Sequence, residues 1–270
     1  MTIPEKWKAD HVLWIEAFAA SNFAFLTLDI YMAHSVNSFR RQAELVPLFF
    51  SIFAAVVMAA AIAARERRPG LWTVLGHIVG WGSLAVGVAG VVLHLESSFF
   101  AERTLKSLTY AAPFAAPLAY AGLGLLLIMD RMVDAQSREW PLWVLLLALG
   151  GFAGNLVLSL TDHAVNGFFR WAEWIPVISS AYAVGFLTMP FLITVSCPYL
   201  SLCGYALLAQ ALVRVAGFCI HAAANFHGPS AKILQNFIDG APPFAPLLFP
   251  NLAVLAGIGL WVLSHGEATE

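Results

Sequence analysis

The sequence predicts an all-α integral membrane protein of eight transmembrane helices, built as two tandem four-helix repeats related by a pseudo-two-fold along the membrane normal. Three observations predict it. The composition is apolar, eight apolar runs have spanning length, and a polar pattern recurs after 129 residues.

Of the 270 residues, 60% are hydrophobic and 11% charged, and the mean hydropathy is +0.78. A soluble domain carries about 25% charged residues, so this chain lacks the charge to coat a soluble surface. Its 14 Lys and Arg against 16 Asp and Glu leave a net charge of −2. No basic stripe is present, which excludes a nucleic-acid binder. Nine Trp and 20 Phe suit aromatic belts at a bilayer surface. Cys197, Cys203 and Cys219 form neither an even disulfide set nor a CxxC, and so carry no redox-compartment signal.

The apolar runs fall near 12–33, 45–64, 71–94, 109–129, 141–161, 174–196, 200–222 and 243–264. Each is about 20 residues, enough for a hydrocarbon core of about 30 Å. Without water to satisfy backbone groups such segments must be helices. They do not alternate in polarity, as barrel strands would. The first run is long for a signal peptide and lacks a convincing cleavage site, so it reads as retained.

The organisation predicted is a cytoplasmic segment 1–10, a membrane unit 11–130, a cytoplasmic linker 131–139, a second unit 140–265 and a tail 266–270. Eight spans put both termini on one side. Lys6, Lys8, Arg65, Arg67, Arg68, Arg131 and Arg138 fall there, seven cations against six opposite. The positive-inside rule makes that side cytoplasmic, with both termini inside a bacterial inner membrane.

The repeat is read without a gap. His34, Val36, Asn37, Phe39, Arg41, Ala43, Glu44 and Pro47 recur as His163, Val165, Asn166, Phe168, Arg170, Ala172, Glu173 and Pro176. Ser51 and Ala54 recur as Ser180 and Ala183. The shared H-x-V-N-x-F-x-R-x-A-E-x-x-P is polar, and a random apolar chain rarely produces it twice. The remainder matches loosely: Ala111-x-Pro113-Phe114 resembles Ala241-x-Pro243-Phe244, and His94 pairs with His227. Units with an even number of spans share one orientation, unlike inverted repeats.

Four histidines, His34, His94, His163 and His227, fall at the exits of the odd-numbered spans, at one outer level. Glu44, Glu96, Asp162 and Glu173 accompany them. Imidazoles and carboxylates at one depth are what a transition metal (copper, iron or zinc) takes. Haem b would take two opposed imidazoles, with Arg41, Arg103 and Arg170 beside its propionates. Plain structural roles compete with this reading. Interfacial histidines keep a polar tip wet, and in a helical connection Arg41 and Glu44 would form an i,i+3 pair. Direct binding of an organic substrate is the third option. Inside the spans lie Glu16, His77 and Arg214, where charge is expensive and by default functional. A buried structural ion pair is the competing explanation.

No P-loop, GxSxG, HExxH or CxxCH is present. The first functional reading is a membrane-embedded metal- or haem-binding protein, a redox subunit or small oxidoreductase with its site at the outer helix ends. The second is a transporter or lipid-substrate protein using the cavity between the repeats. The third is a non-catalytic structural subunit of a larger membrane complex. The partners expected are the lipid bilayer and other membrane or redox subunits, and no nucleic acid.

Overall fold

Prolines, caps and apolar length set the helix boundaries. A computed structural model describes residues 10–266; Lys6, Lys8 and nearly all of the terminal segments 1–10 and 266–270 lie outside the described residues. Helix α1 (His11–Ser35) starts where Asp10 Oδ1 accepts the Leu13 N–H at 3.0 Å, an aspartate N-cap. A 3₁₀ turn (Gln42–Glu44) leads into α2 (Leu45–Ala64), and Pro69 opens α3 (Pro69–Leu95) at a position where a missing N–H costs nothing. Two short helices, α4 (Phe99–Glu102) and α5 (Leu105–Thr109), precede α6 (Leu118–Met132).

The second half runs the same way. Helix α7 (Glu139–Val165), a 3₁₀ turn (Trp171–Glu173) and α8 (Trp174–Leu192) are followed by α9 (Cys197–Phe226). Then come the short α10 (Ile233–Asp239), a 3₁₀ turn (Ala245–Leu247) and α11 (Leu248–Gly266). No strand occurs among the described residues. Seven helices are long and apolar enough to cross a membrane, which marks an integral membrane protein. The expected fourth span is the exception: α6 has 15 residues. Pro113 and Pro117 hold the chain before it in turns, because proline fixes φ and donates no hydrogen bond.

Many large apolar side chains are left exposed. Phe49, Val56, Trp81, Tyr205 and Leu212 are each more than half exposed, as lipid-facing positions are. The buried core gathers Phe23, Met58, Tyr120 and Leu127 of the first half with Trp140, Phe152 and Leu187 of the second.

In the first half α1 packs on α2, α2 on α3, α3 on α6, and α6 back on α1. In the second, α7 packs on α8, α8 on α9, α9 on α11, and α11 on α7. The halves meet through α6 on α7 and α11 on α1. Small residues bring α3 and α6 together: a Cβ on Gly87 would sit 2.4 Å from the Ala121 nitrogen, and one on Gly124 2.6 Å from the Gly80 oxygen. Membrane helices use such residues for close backbone approach.

Helices α1 and α11 run antiparallel. Trp14 lies on Trp261 with ring centres 5.0 Å apart, Asn22 bonds Asn251, and Phe25 lies 5.3 Å from Phe244. At the other end of α1, His11 packs on Trp140 at 4.5 Å, so α1 and α7 start at one end. Their C-terminal ends, with His34 and His163, therefore share the opposite end.

Candidate functional site

Each half of the molecule builds the same local device where its first helix ends. The Phe39 N–H returns to the His34 carbonyl at 3.3 Å, and the Phe168 N–H to the His163 carbonyl at 3.2 Å. Phe39 (φ 49°) and Phe168 (φ 50°) are left-handed, a conformation that costs a bulky residue energy and tends to persist at functional sites. Their rings lie beside the histidines, 6.0 Å from His34 and 6.1 Å from His163. A 3₁₀ turn then delivers Glu44 or Glu173 back toward the histidine.

In the first half Glu44 Oε2 stands 3.7 Å from His34 Nδ1. His94, from α3, brings its ring centre within 6.2 Å of His34 at 75°. Glu44 is within electrostatic reach of both imidazoles. His94 Nδ1 donates to the Pro113 carbonyl at 3.0 Å, which fixes its tautomer and leaves Nε2 a free lone pair, the usual state of a metal-ligating histidine.

The second half repeats this with His163 and Glu173, and His163 feels Glu173, His221 and Arg214. The imidazole that corresponds to His94 is His221, whose Nδ1 donates to the Pro242 carbonyl at 2.9 Å. The expected His227 is exposed, lies past the end of α9 and caps its own helix through Ala223 O at 2.8 Å. Helix α9 overruns the site level by more than a turn, so the residue at its very end misses the cluster. One sequence signal did point to His221. The anchoring proline lies 19 residues beyond His94 and 21 beyond His221.

Glu44 Oε2 and Glu173 Oε2 are both buried without a hydrogen-bond partner. The histidines approach one another within a half, not between the halves. Among the described residues no three His, Cys, Asp or Glu side chains stand assembled around a metal position. Glu96, Arg41, Arg103 and Arg170 are exposed and converge on nothing. Asp162 is half-buried beside His163 in sequence, and adjacent helical residues do not share a face.

Beneath each cluster the halves differ. In the first, the Tyr120 hydroxyl donates to the Pro47 carbonyl at 3.0 Å and contacts Ser51 Oγ. In the second, Arg214 Nη2 donates to the Pro176 carbonyl at 2.7 Å and to Ser180 Oγ. Pro47 and Pro176, like Ser51 and Ser180, stand 129 residues apart and follow the same 3₁₀ turn, so a neutral phenol and a guanidinium meet corresponding groups in the two halves. Arg214 is 4% exposed, with its guanidinium carbon 3.4 Å above the Phe249 ring. It faces the protein interior on a backbone carbonyl, as an intramembrane arginine must.

At the opposite end Glu16 pairs not with Arg214 but with Arg131 Nη2, both side chains fully buried. Arg131 also lies 4.8 Å over the Trp72 ring and donates to Leu127 O at 2.9 Å. Asp130 accepts from Trp140 Nε1 at 3.2 Å. Nothing equivalent faces it in the second half, where Leu145 stands in the register of Glu16. His77, half-buried on α3, joins neither cluster.

The chain matches no family model, no characterised protein and no solved structure.

Proposed function

We propose that this is a membrane metalloprotein with a transition-metal ion at the outer mouth of its first unit, held by His34, His94 and Glu44. The observation that carries the reading is the buried, partnerless Glu44 oxygen facing two imidazoles, one of them with Nδ1 already anchored. A carboxylate in that setting lacks a cation. A metal about 2.0–2.1 Å from each nitrogen sets two ring centres roughly 5–6.5 Å apart, and the rings stand at 6.2 Å. Two imidazoles, one carboxylate and open positions suit non-haem iron, with copper and zinc next. Bound iron or copper makes the protein a redox subunit or small oxidoreductase, working beside other membrane subunits. Haem b fits less well. A porphyrin between the rings would displace Glu44, and Arg41 and Arg103 do not turn toward the site.

The tandem duplication belongs to this reading. It is supported by the repeated loop geometry, by two rings of four helices with the same order of neighbours, and by the shared anchoring of His94 and His221 on prolines. On this view α6 is a short eighth span. The basic link Arg65–Arg68 favours both termini inside by the positive-inside rule. An impermeant thiol reagent added from outside should then leave an Arg67→Cys variant unlabelled; ready labelling reverses the orientation.

Elemental analysis and an absorption spectrum of the purified protein test the metal reading. Iron, copper or zinc bound near one per chain, without a Soret band, is expected. A Soret band returns haem to first place, and a metal-free protein that takes up none of the three ions overturns the proposal.

A further inference from the structure

A cavity of about 300 Å³ lies between the two halves, walled by α1, α6, α7 and α11. Most of its lining is aliphatic, and the polar exceptions are three amides: Asn22, Asn155 and Asn251. Leu118, Leu125 and Leu146 line it and are each more than 40% exposed. Exposed leucines on α6 and α7 at its wall suit entry from the bilayer. Asn22 and Asn251 bond each other reciprocally, and Asn22 Nδ2 also holds the Phe18 carbonyl at 2.8 Å. That leaves one N–H of Asn251 for a guest. The Asn155 side chain makes no hydrogen bond among the described residues. A free amide in an apolar membrane interior is costly, and an amide both donates and accepts.

The geometry points to a binding site for a benzoquinone or benzoquinol headgroup in this cavity. The occupant must enter from the bilayer, which excludes water-soluble substrates. It must be neutral, because no charged side chain lines the space and an unpaired charge there is expensive. It must offer carbonyl or hydroxyl groups to Asn155 and Asn251, which a phospholipid acyl chain does not. A flat ring with two opposed oxygens meets all three conditions, and its isoprenoid tail leaves through the lateral opening. Binding requires no metal, so this site stands or falls apart from the His34 centre.

Two glycines make a clean test. A Cβ added at Gly122 or Gly150, on facing walls of the cavity, meets no atom within 4 Å. A leucine there fills the space without forcing the backbone. Decylubiquinone binding to the detergent-purified protein is measured by equilibrium partition, with melting temperature as the check on folding. Wild type should bind saturably. Gly150→Leu and Gly122→Leu should each weaken binding at least about tenfold while melting near wild type, and Asn155→Leu should weaken it about tenfold through the lost amide. The proposal is overturned by an absence of saturable binding in wild type, or by binding unchanged in Asn155→Leu and in both leucine-filled proteins. It is equally overturned if native mass spectrometry finds a phospholipid that the glycine variants release and decylubiquinone does not displace.

Discussion

Changing Glu16 to leucine is expected to destabilise the protein by about 3–5 kcal/mol, because it leaves Arg131 buried without its partner. Both side chains are fully buried. Arg131 has no room to move away, since α3 passes so close that a Cβ on Gly76 would fall 1.9 Å from the guanidinium. Trp72 and Leu127 supply only a ring face and a carbonyl, and Asp130, the other carboxylate within electrostatic reach, is engaged by Trp140 Nε1. Arg131→Met alone should cost a similar amount, by stranding Glu16 next to Asp130. The double variant Glu16→Leu with Arg131→Met should recover a large part of the loss, as replacing both partners of a buried pair by apolar groups commonly does. A denaturant titration in detergent measures all three. Additive losses in the double variant would show that the two groups do not act as a pair.

The second large effect separates the two histidine clusters. If the proposed site holds the metal, His94→Ala should strip it from the first unit, lowering affinity by at least about a hundredfold, since it removes one of three proposed ligands and the only one pre-set by a backbone carbonyl. His221→Ala, the matching change in the second unit, should leave the metal content close to wild type when metal is limiting. The reason is Arg214. Like charges repel, and a dication feels a nearby guanidinium twice as strongly as a single charge does. A guanidinium within electrostatic reach of His163 therefore opposes a metal there, whereas the Tyr120 hydroxyl beneath the first site opposes nothing. Elemental analysis of both variants, with apparent melting temperature as the folding control, reads the difference. Two metals per chain in wild type, or equal losses in the two variants, would refute the assignment of Arg214 as the residue that sets the units apart.

Seven spanning helices and the recurrence of the polar motif were legible in the sequence because both are local, whereas the left-handed Phe and the 3₁₀ turn replace the helical connection considered there. Apolar runs of spanning length must form helices in lipid whatever their neighbours. The pattern H-x-V-N-x-F-x-R-x-A-E-x-x-P encodes a helix end, a left-handed Phe and a 3₁₀ turn within a few residues. The same letters therefore produce the same geometry at His34 and at His163. The grouping of two histidines with one glutamate was half legible. Sequence named His34, His94, His163, Glu44 and Glu173, and chose His227, whereas the imidazole that the fold sets on a proline carbonyl as it sets His94 is His221. That choice depends on how far α9 extends past the level of Pro242, which no residue of α9 announces.

What only the tertiary structure decided lies at long sequence separation. Glu16 and Arg131 meet because α6 returns beside α1, although the sequence alone placed Arg131 in a solvated link. Tyr120 and Arg214 reach the same carbonyl position from different helices of their units, α6 and α9, so no shift of the sequence aligns them. The cavity exists only because α1 and α6 face α7 and α11 with glycines and amides between them. Hydropathy and backbone turns are properties of a segment. A pairing across a bundle is set by helix rotation and crossing, which the packing of all the helices fixes together.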